Sequence, residues 1–169
     1  LRDYTRAAEN FQEGYELLVA QHGPNLDEAL ICLSEMGSAV AANGDVAEGE
    51  ELVRRALDGF LQTHGADHLL TATTRRNLAA ILATRGLLDE AAAEYRAALE
   101  VYRAELAPDN PSIRMIRDNL QRLEASRAAP PLVEKARGPD RGDGTGPDRR
   151  GSDRGPHRPS VARALHAEP

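Results

Sequence analysis

The chain repeats itself every 42 residues, and this period limits its fold more than any other feature. Three kinds of landmark share the step. Long-loop residues recur as Gly23-Pro24, Gly65-Ala66 and Ala107-Pro108. Short-turn glycines recur as Gly44 and Gly86. Pairs in what reads as the core of a second helix recur as Gly14-Tyr15, Ala56-Leu57 and Ala98-Leu99. A fixed period of about 20–50 residues marks an array of small units, each covering its neighbour's apolar face. It does not suit a closed globule built around one pocket.

Inside each unit the apolar residues fall three and four apart, the helical spacing. Residues 3–21 read as a helix capped by Asp3, with Ala7, Ala8, Phe11, Tyr15 and Leu18 as its apolar stripe. By the period this is a second helix whose own first helix is absent. A helix pair follows over 27–43 and 45–63, with Gly44 ending the first helix and Asp45 expected to cap the second. Gly37 and Gly49 are small residues where the two helices would approach closely. Another pair is expected over 69–85 and 88–106. Asn110 and Pro111 then signal a helix start, and that helix is expected to run to about Ala125. Pro130-Pro131 blocks its partner, so the array ends on a single helix whose polar residues Arg117, Gln121, Arg122 and Glu124 would face water.

The expected fold is therefore all-α: a short solenoid over residues 1–127, made of a half repeat, two full repeats and a terminal single helix. Residues 128–169 differ in kind. Near-copies of one tetrapeptide (Gly138 to Arg141, Gly146 to Arg149, Gly151 to Arg154, Gly155 to Arg158) fill them, and large apolar residues are rare. Such a segment buries too little surface to offset its chain entropy, so it reads as disordered, with at most a transient helical turn over 160–166. The tripeptide Arg141-Gly142-Asp143 reads as a chance product of this composition.

Charge divides at the same place. Residues 1–125 hold 12 arginines and no lysine against 21 acidic residues, a net −9, whereas residues 126–169 carry a net +3. The acidic body argues against nucleic acid as the main ligand, because phosphate binding needs clustered basic residues. No apolar run approaches the ~18 residues of a membrane span. The single cysteine, Cys32, excludes an internal disulfide; with no signal peptide visible, a reducing, cytoplasmic setting is expected. The chain begins with Leu1 inside what reads as a repeat and so reads as a piece of a longer protein. The preference for Arg over Lys points to a GC-rich bacterial coding sequence.

Nothing in the sequence spells a catalytic site: there is no phosphate loop, nucleophile elbow or paired catalytic carboxylates, and no cofactor is expected. His22 and His64, one period apart, end equivalent helices. Leu106 stands where a third would be, so placement at helix C-termini explains them better than a metal does. Cys32 reads as a small, half-buried apolar residue and not a nucleophile. Glu48, Glu50 and Glu51 read as a solvated acidic run.

Ala91, Tyr95 and Ala98 follow a second-helix pattern of Ala, aromatic, Ala. Asn77, Leu78, Ala79, Leu82 and Gly86 follow the matching first-helix pattern; the earlier unit is a looser copy of both, with Glu35, Met36, Gly37, Val40 and Gly44, then Gly49, Val53 and Ala56. In these residues the chain resembles the tetratricopeptide repeat family, in the 42-residue variety found in kinesin light chains and many bacterial proteins. Asn119 and Leu120 begin a third match, which Gln121 breaks. The resemblance covers about residues 1–126. It implies a right-handed superhelix of antiparallel helix pairs whose first helices line a concave groove for a protein or peptide partner.

Matched position by position, the resemblance puts Ser34, Glu35, Ser38, Thr73, Arg76, Asn77, Asp118, Asn119 and Arg122 in that groove. Asn side chains can pair with both polar groups of a peptide backbone, and arginines can hold a carboxylate with two bonds. The family's chaperone-binding members use lysine-rich clamps, which this body lacks. The same polar residues also suit a merely solvated helix face. Two other functional readings stand beside the binding module. One is a C-terminal regulatory segment of a larger bacterial signalling enzyme, a kinase or nucleotide-dependent regulator. The other is self-association through unfinished repeat ends.

Overall fold

A computed structural model describes residues 3–128. The expected tail, with its tetrapeptide copies and its Arg-Gly-Asp tripeptide, lies outside the described residues. Six helices fill the described part, and no strand occurs among these residues: α1 (Tyr4–His22), α2 (Asp27–Ala42), α3 (Val46–Thr63), α4 (Leu69–Thr84), α5 (Leu88–Glu105) and α6 (Pro111–Ala128). Each helix packs on the next, and α2 also touches α4. Short three-residue turns join α2 to α3 and α4 to α5, which makes each pair an antiparallel hairpin.

The two hairpin turns are built identically. Gly44 and Gly86 have φ of 116° and 77°, a region open to glycine at little cost. The Gly44 N–H donates to Ala41 O and the Asp45 N–H to Val40 O; one period on, Gly86 donates to Ala83 O and Leu87 to Leu82 O. This paired closure satisfies the last carbonyls of the first helix. It also overturns one expectation. Asp45 begins α3, but its side chain makes no capping bond. The turn holds its backbone at φ −85°, ψ 64°, away from the extended geometry from which a cap reaches inward. Leu87 adopts nearly the same angles with no polar side chain at all.

Capping side chains do act at the starts of α1, α4 and α6. Asp3 accepts from the Arg6 N–H at 3.1 Å and Asn110 from the Ser112 N–H at 2.9 Å. His68 Nδ1 takes the same role for Leu70 at 3.3 Å, which its sequence did not announce.

The core runs along the array instead of collecting at one centre. Leu30, Leu33, Met36, Val40, Leu52, Val53, Ala56 and Phe60 fill the first hairpin, and Leu78, Ala79, Leu82, Ala91, Tyr95, Ala98 and Tyr102 the second. Ile113, Ile116 and Leu123 attach α6. The face of α6 that would meet a following helix carries Gln121 and Glu124 where α4 has Ala79 and Leu82, and both are exposed. Arg117 and Arg122 are exposed too, so this side of α6 is polar.

At the other end α1 packs on one side only. Of its five stripe residues, Ala8 and Tyr15 are buried while Ala7, Phe11 and Leu18 are half-buried. Its outer surface carries Arg6, Glu9, Asn10, Glu13 and Glu16, with Leu17 as its one exposed large apolar side chain.

Glu50 is a second correction. It is buried, at 7% exposure, and is no part of a solvated run. The period explains this, because Glu50 aligns with the buried Ala92. Arg54 one turn later and Arg85 at the end of α4 hold its carboxylate, at 2.8 and 2.5 Å.

Candidate partner-binding face

The first helices of successive units place corresponding side chains in register. Ile31, Thr73 and Met115 share one position; Ser34, Arg76 and Asp118 the next; Glu35, Asn77 and Asn119 the third; Ser38, Ala80 and Arg122 the fourth. These spacings of three and four residues lie on one side of a helix. The direct contact of α2 with α4 brings two of the three ranks together.

Asn77 makes that contact. Its Nδ2 donates to Ser34 Oγ at 3.1 Å and to Glu35 Oε1 at 3.2 Å, and its Oδ1 accepts from Arg76 Nη2 at 2.9 Å. Both of its amide protons are therefore spent on α2. Asn77 acts first as a strut between first helices, and any peptide donor meets only its remaining lone pair.

Asn119 is used differently. It donates one proton to Tyr95 Oη on α5 at 3.1 Å, while its other amide proton and its oxygen have no partner among the described residues. Burial raises the Tyr95 phenol above its usual range, against a smaller lowering by the Asn119 bond and the nearby Arg76 charge. Asn119 is thereby tied to α5 through the Tyr95 hydroxyl.

Thr73 is braced from behind. Its hydroxyl proton goes to Leu69 O at 2.9 Å, so the 2.9 Å contact with Tyr102 is donated by the tyrosine. The Ser38 hydroxyl is spent on Ser34 O of its own helix at 3.0 Å, and Ser34 is buried at 3% exposure. Asp118 and Arg122 are exposed on α6. Of the nine expected residues, Ser34, Glu35, Arg76 and Asn77 form one network, which Ser38 touches only through the Ser34 carbonyl; Thr73 and Asn119 are each held by a tyrosine, and Asp118 and Arg122 join neither arrangement.

Sequence reasoning missed four contributors. Tyr95 and Tyr102 read as plain core, and their hydroxyls orient the face. Ile31 and Met115 are apolar yet 39% and 41% exposed. The 42-residue period already placed them at one register position, with Thr73 between. Met115 lies in a shallow depression of about 220 Å³ with Pro111, Arg114, Asp118, Asn119 and Arg122.

Other candidate groups are accounted for locally. His22 is the last residue of α1 and His64 follows α3 directly. His64 Nε2 lies 2.7 Å from Asp27, and its ring stacks on His68 with centroids 4.2 Å apart. Among the described residues no group of three or more His, Cys, Asp or Glu is arranged to hold a metal. Cys32 is half-buried, and burial raises its thiol above the usual range, which lowers the thiolate fraction.

A scan against protein families matches residues 30–104 to the tetratricopeptide repeat. Over that span the chain carries tetratricopeptide repeats. The matched span runs from within α2 into α5 and so covers nearly all of both hairpins. No curated protein matches the chain. Tetratricopeptide repeats generally mediate protein–protein interaction and are typically non-catalytic. Among the described residues no helix is long and apolar enough to cross a membrane.

Proposed function

We propose that this tetratricopeptide repeat array binds a peptide segment of a partner protein across the face formed by the first helices α2, α4 and α6. The observation that carries this reading is the register of that face. Two exposed large apolar side chains, Ile31 and Met115, stand at equivalent positions, with Arg76, Asn77, Asn119 and Arg122 between and beside them. A solvated helix face has no need of apolar side chains held in register with donors. The tyrosines behind the face support the same reading. Tyr95 and Tyr102 fix Asn119 and Thr73 before any partner arrives, so less side-chain freedom is lost on binding.

The unfinished ends support self-association less well. Leu17 is one isolated apolar residue in a charged surface, and α6 closes with polar residues. The test is selection of random peptides on the full chain, repeated with Arg76→Ala plus Arg122→Ala. Enriched peptides should lose binding to the variant. Peptides that bind both proteins equally would place the binding surface elsewhere.

A further inference from the structure

Three tyrosines are buried among the described residues. The Tyr95 hydroxyl meets Asn119 and the Tyr102 hydroxyl meets Thr73. The Tyr15 hydroxyl has no hydrogen-bond partner among these residues, although Tyr15 is only 7% exposed. A buried phenol ordinarily finds one. The Tyr15 oxygen is not sealed into the core either. Tyr15 lines a depression of about 240 Å³ between α1, α2 and α3, and its hydroxyl opens there.

Other unspent groups gather at the same place. Arg55 is half-buried on α3 and has neither a carboxylate nor another acceptor among the described residues. Asp58, one turn on, lines the same depression and is likewise unpaired, as are Asn25 in the loop before α2 and Gln62 near the end of α3. Arg55 and Asp58 have the spacing at which helical neighbours can pair, yet they do not bond to each other. Leu30 and Leu33, both buried, supply the apolar lining.

The repeat does not account for this set. One period on, Leu57, Ala97 and Ala104 stand in place of Tyr15, Arg55 and Gln62. The depression at the matching place there has Val101 where this one has Gly59, and its one arginine, Arg75, is paired with Glu94 at 2.7 Å. None of the residues lining the depression beside Tyr15 belongs to the first-helix face.

The two charges select a ligand. A purely anionic molecule on Arg55 would lie beside Asp58, and a purely cationic one on Asp58 would lie beside Arg55. Like charges brought together oppose binding. A molecule that carries both charges satisfies both residues, and Asn25 and Gln62 can bond to either of its ends. The volume lies below the about 300–1,000 Å³ of sites for drug-sized ligands, which suits a small molecule.

We infer that this depression binds a small zwitterion with an apolar side chain, a free α-amino acid or a dipeptide. Its carboxylate lies on Arg55 and the Tyr15 hydroxyl, its ammonium group on Asp58, and its side chain against Leu30 and Leu33.

The test titrates the full chain with leucine, leucyl-leucine, N-acetylleucine and leucinamide, and reads binding and its place from amide shifts in NMR spectra. At least one of the two zwitterions should shift amides around Tyr15, Asn25 and residues 55–62. It should bind about tenfold or more tighter than N-acetylleucine, which keeps only the negative charge, and leucinamide, which keeps only the positive one. The tighter zwitterion tells a free amino acid from a short peptide as the source. Tyr15→Phe and Arg55→Gln should each weaken its binding about threefold or more while the folded spectrum persists. Asp58→Asn should remove its advantage over N-acetylleucine. The inference is overturned if neither zwitterion binds, if the shifts lie elsewhere, if a single-charge analogue binds wild type as tightly, or if the variants bind unchanged.

Discussion

Gly37 of α2 and Gly49 of α3 meet backbone to backbone. A Cβ on Gly37 would lie 2.7 Å from the Gly49 carbonyl oxygen, and one on Gly49 would lie 2.4 Å from the Gly37 carbonyl oxygen. One period on, Ala79 and Ala91 occupy these positions, both fully buried. The first hairpin is therefore drawn tighter than the second by the volume of two methyl groups.

Substituting either glycine should destabilise the array. Alanine gains about 1 kcal/mol of helix propensity, but overpacking against backbone costs about 1–3 kcal/mol. Because a methyl cannot rotate out of the overlap, the cost should fall at the upper end of that range, leaving a net loss of up to about 2 kcal/mol for Gly37→Ala or Gly49→Ala. A lower urea midpoint would record it. An unchanged midpoint would mean that the hairpin opens without strain.

A second tight site predicts compensation. A Cβ on Gly59 would lie 2.5 Å from a methyl of Leu30. In the second hairpin the volumes are exchanged, with Ala72 in place of Leu30 and Val101 in place of Gly59, both buried. Gly59→Val alone should cost about 1–3 kcal/mol and Leu30→Ala alone about 2–5 kcal/mol. The double variant should cost less than the sum by about 1 kcal/mol or more, because each change supplies what the other lacks. Additive losses in denaturant titrations would refute this pairing.

Glu50 gives the array a pH dependence. Burial alone would raise its carboxyl pKa; bonds from Arg85 and Arg54 outweigh burial and lower it below the ordinary value. A carboxylate with a depressed folded pKa stabilises the fold above its unfolded pKa, about 4.3, and that contribution fades as pH falls through the folded value. Wild type should therefore lose more stability than Glu50→Gln between neutral pH and pH values below the ordinary Glu range. Parallel acid titrations of the two proteins would exclude Glu50 as a source of that loss.

Asn77 should report on the junction of α2 and α4. Replacing it with Ala removes its bonds to Ser34 and Glu35, at a cost of about 1–2 kcal/mol. Backbone amides of α2 should then exchange faster than those of α5. Equal protection throughout would mean that the junction does not depend on Asn77.

The helices and their order were legible in the sequence because the chain carries its own punctuation. Gly23, Gly44, Gly65 and Gly86, all with positive φ, stand 21 residues apart, half the repeat, and each follows a helix end. Asp3 and Asn110 announced their caps. Asp45 failed for a local reason, its turn geometry; the other failures concern side chains with partners on another helix. Glu50 reads as surface until Arg85, 35 residues later, is seen to hold it. Asn77 and Asn119 share a register position, yet one is spent on the preceding first helix and the other on Tyr95 of the preceding second helix. Register identifies which side chains share a face. It does not say which of them the fold has already used.

Photo-crosslinking tests the central claim, that the first-helix face is where partners bind. A photoreactive residue replaces Ala80, exposed on α4 and in register with Ser38 and Arg122, or Ala93, exposed on the second helix α5. The account expects crosslinks to a partner protein from position 80 and few or none from position 93. Crosslinks from position 93 with none from position 80 would contradict it.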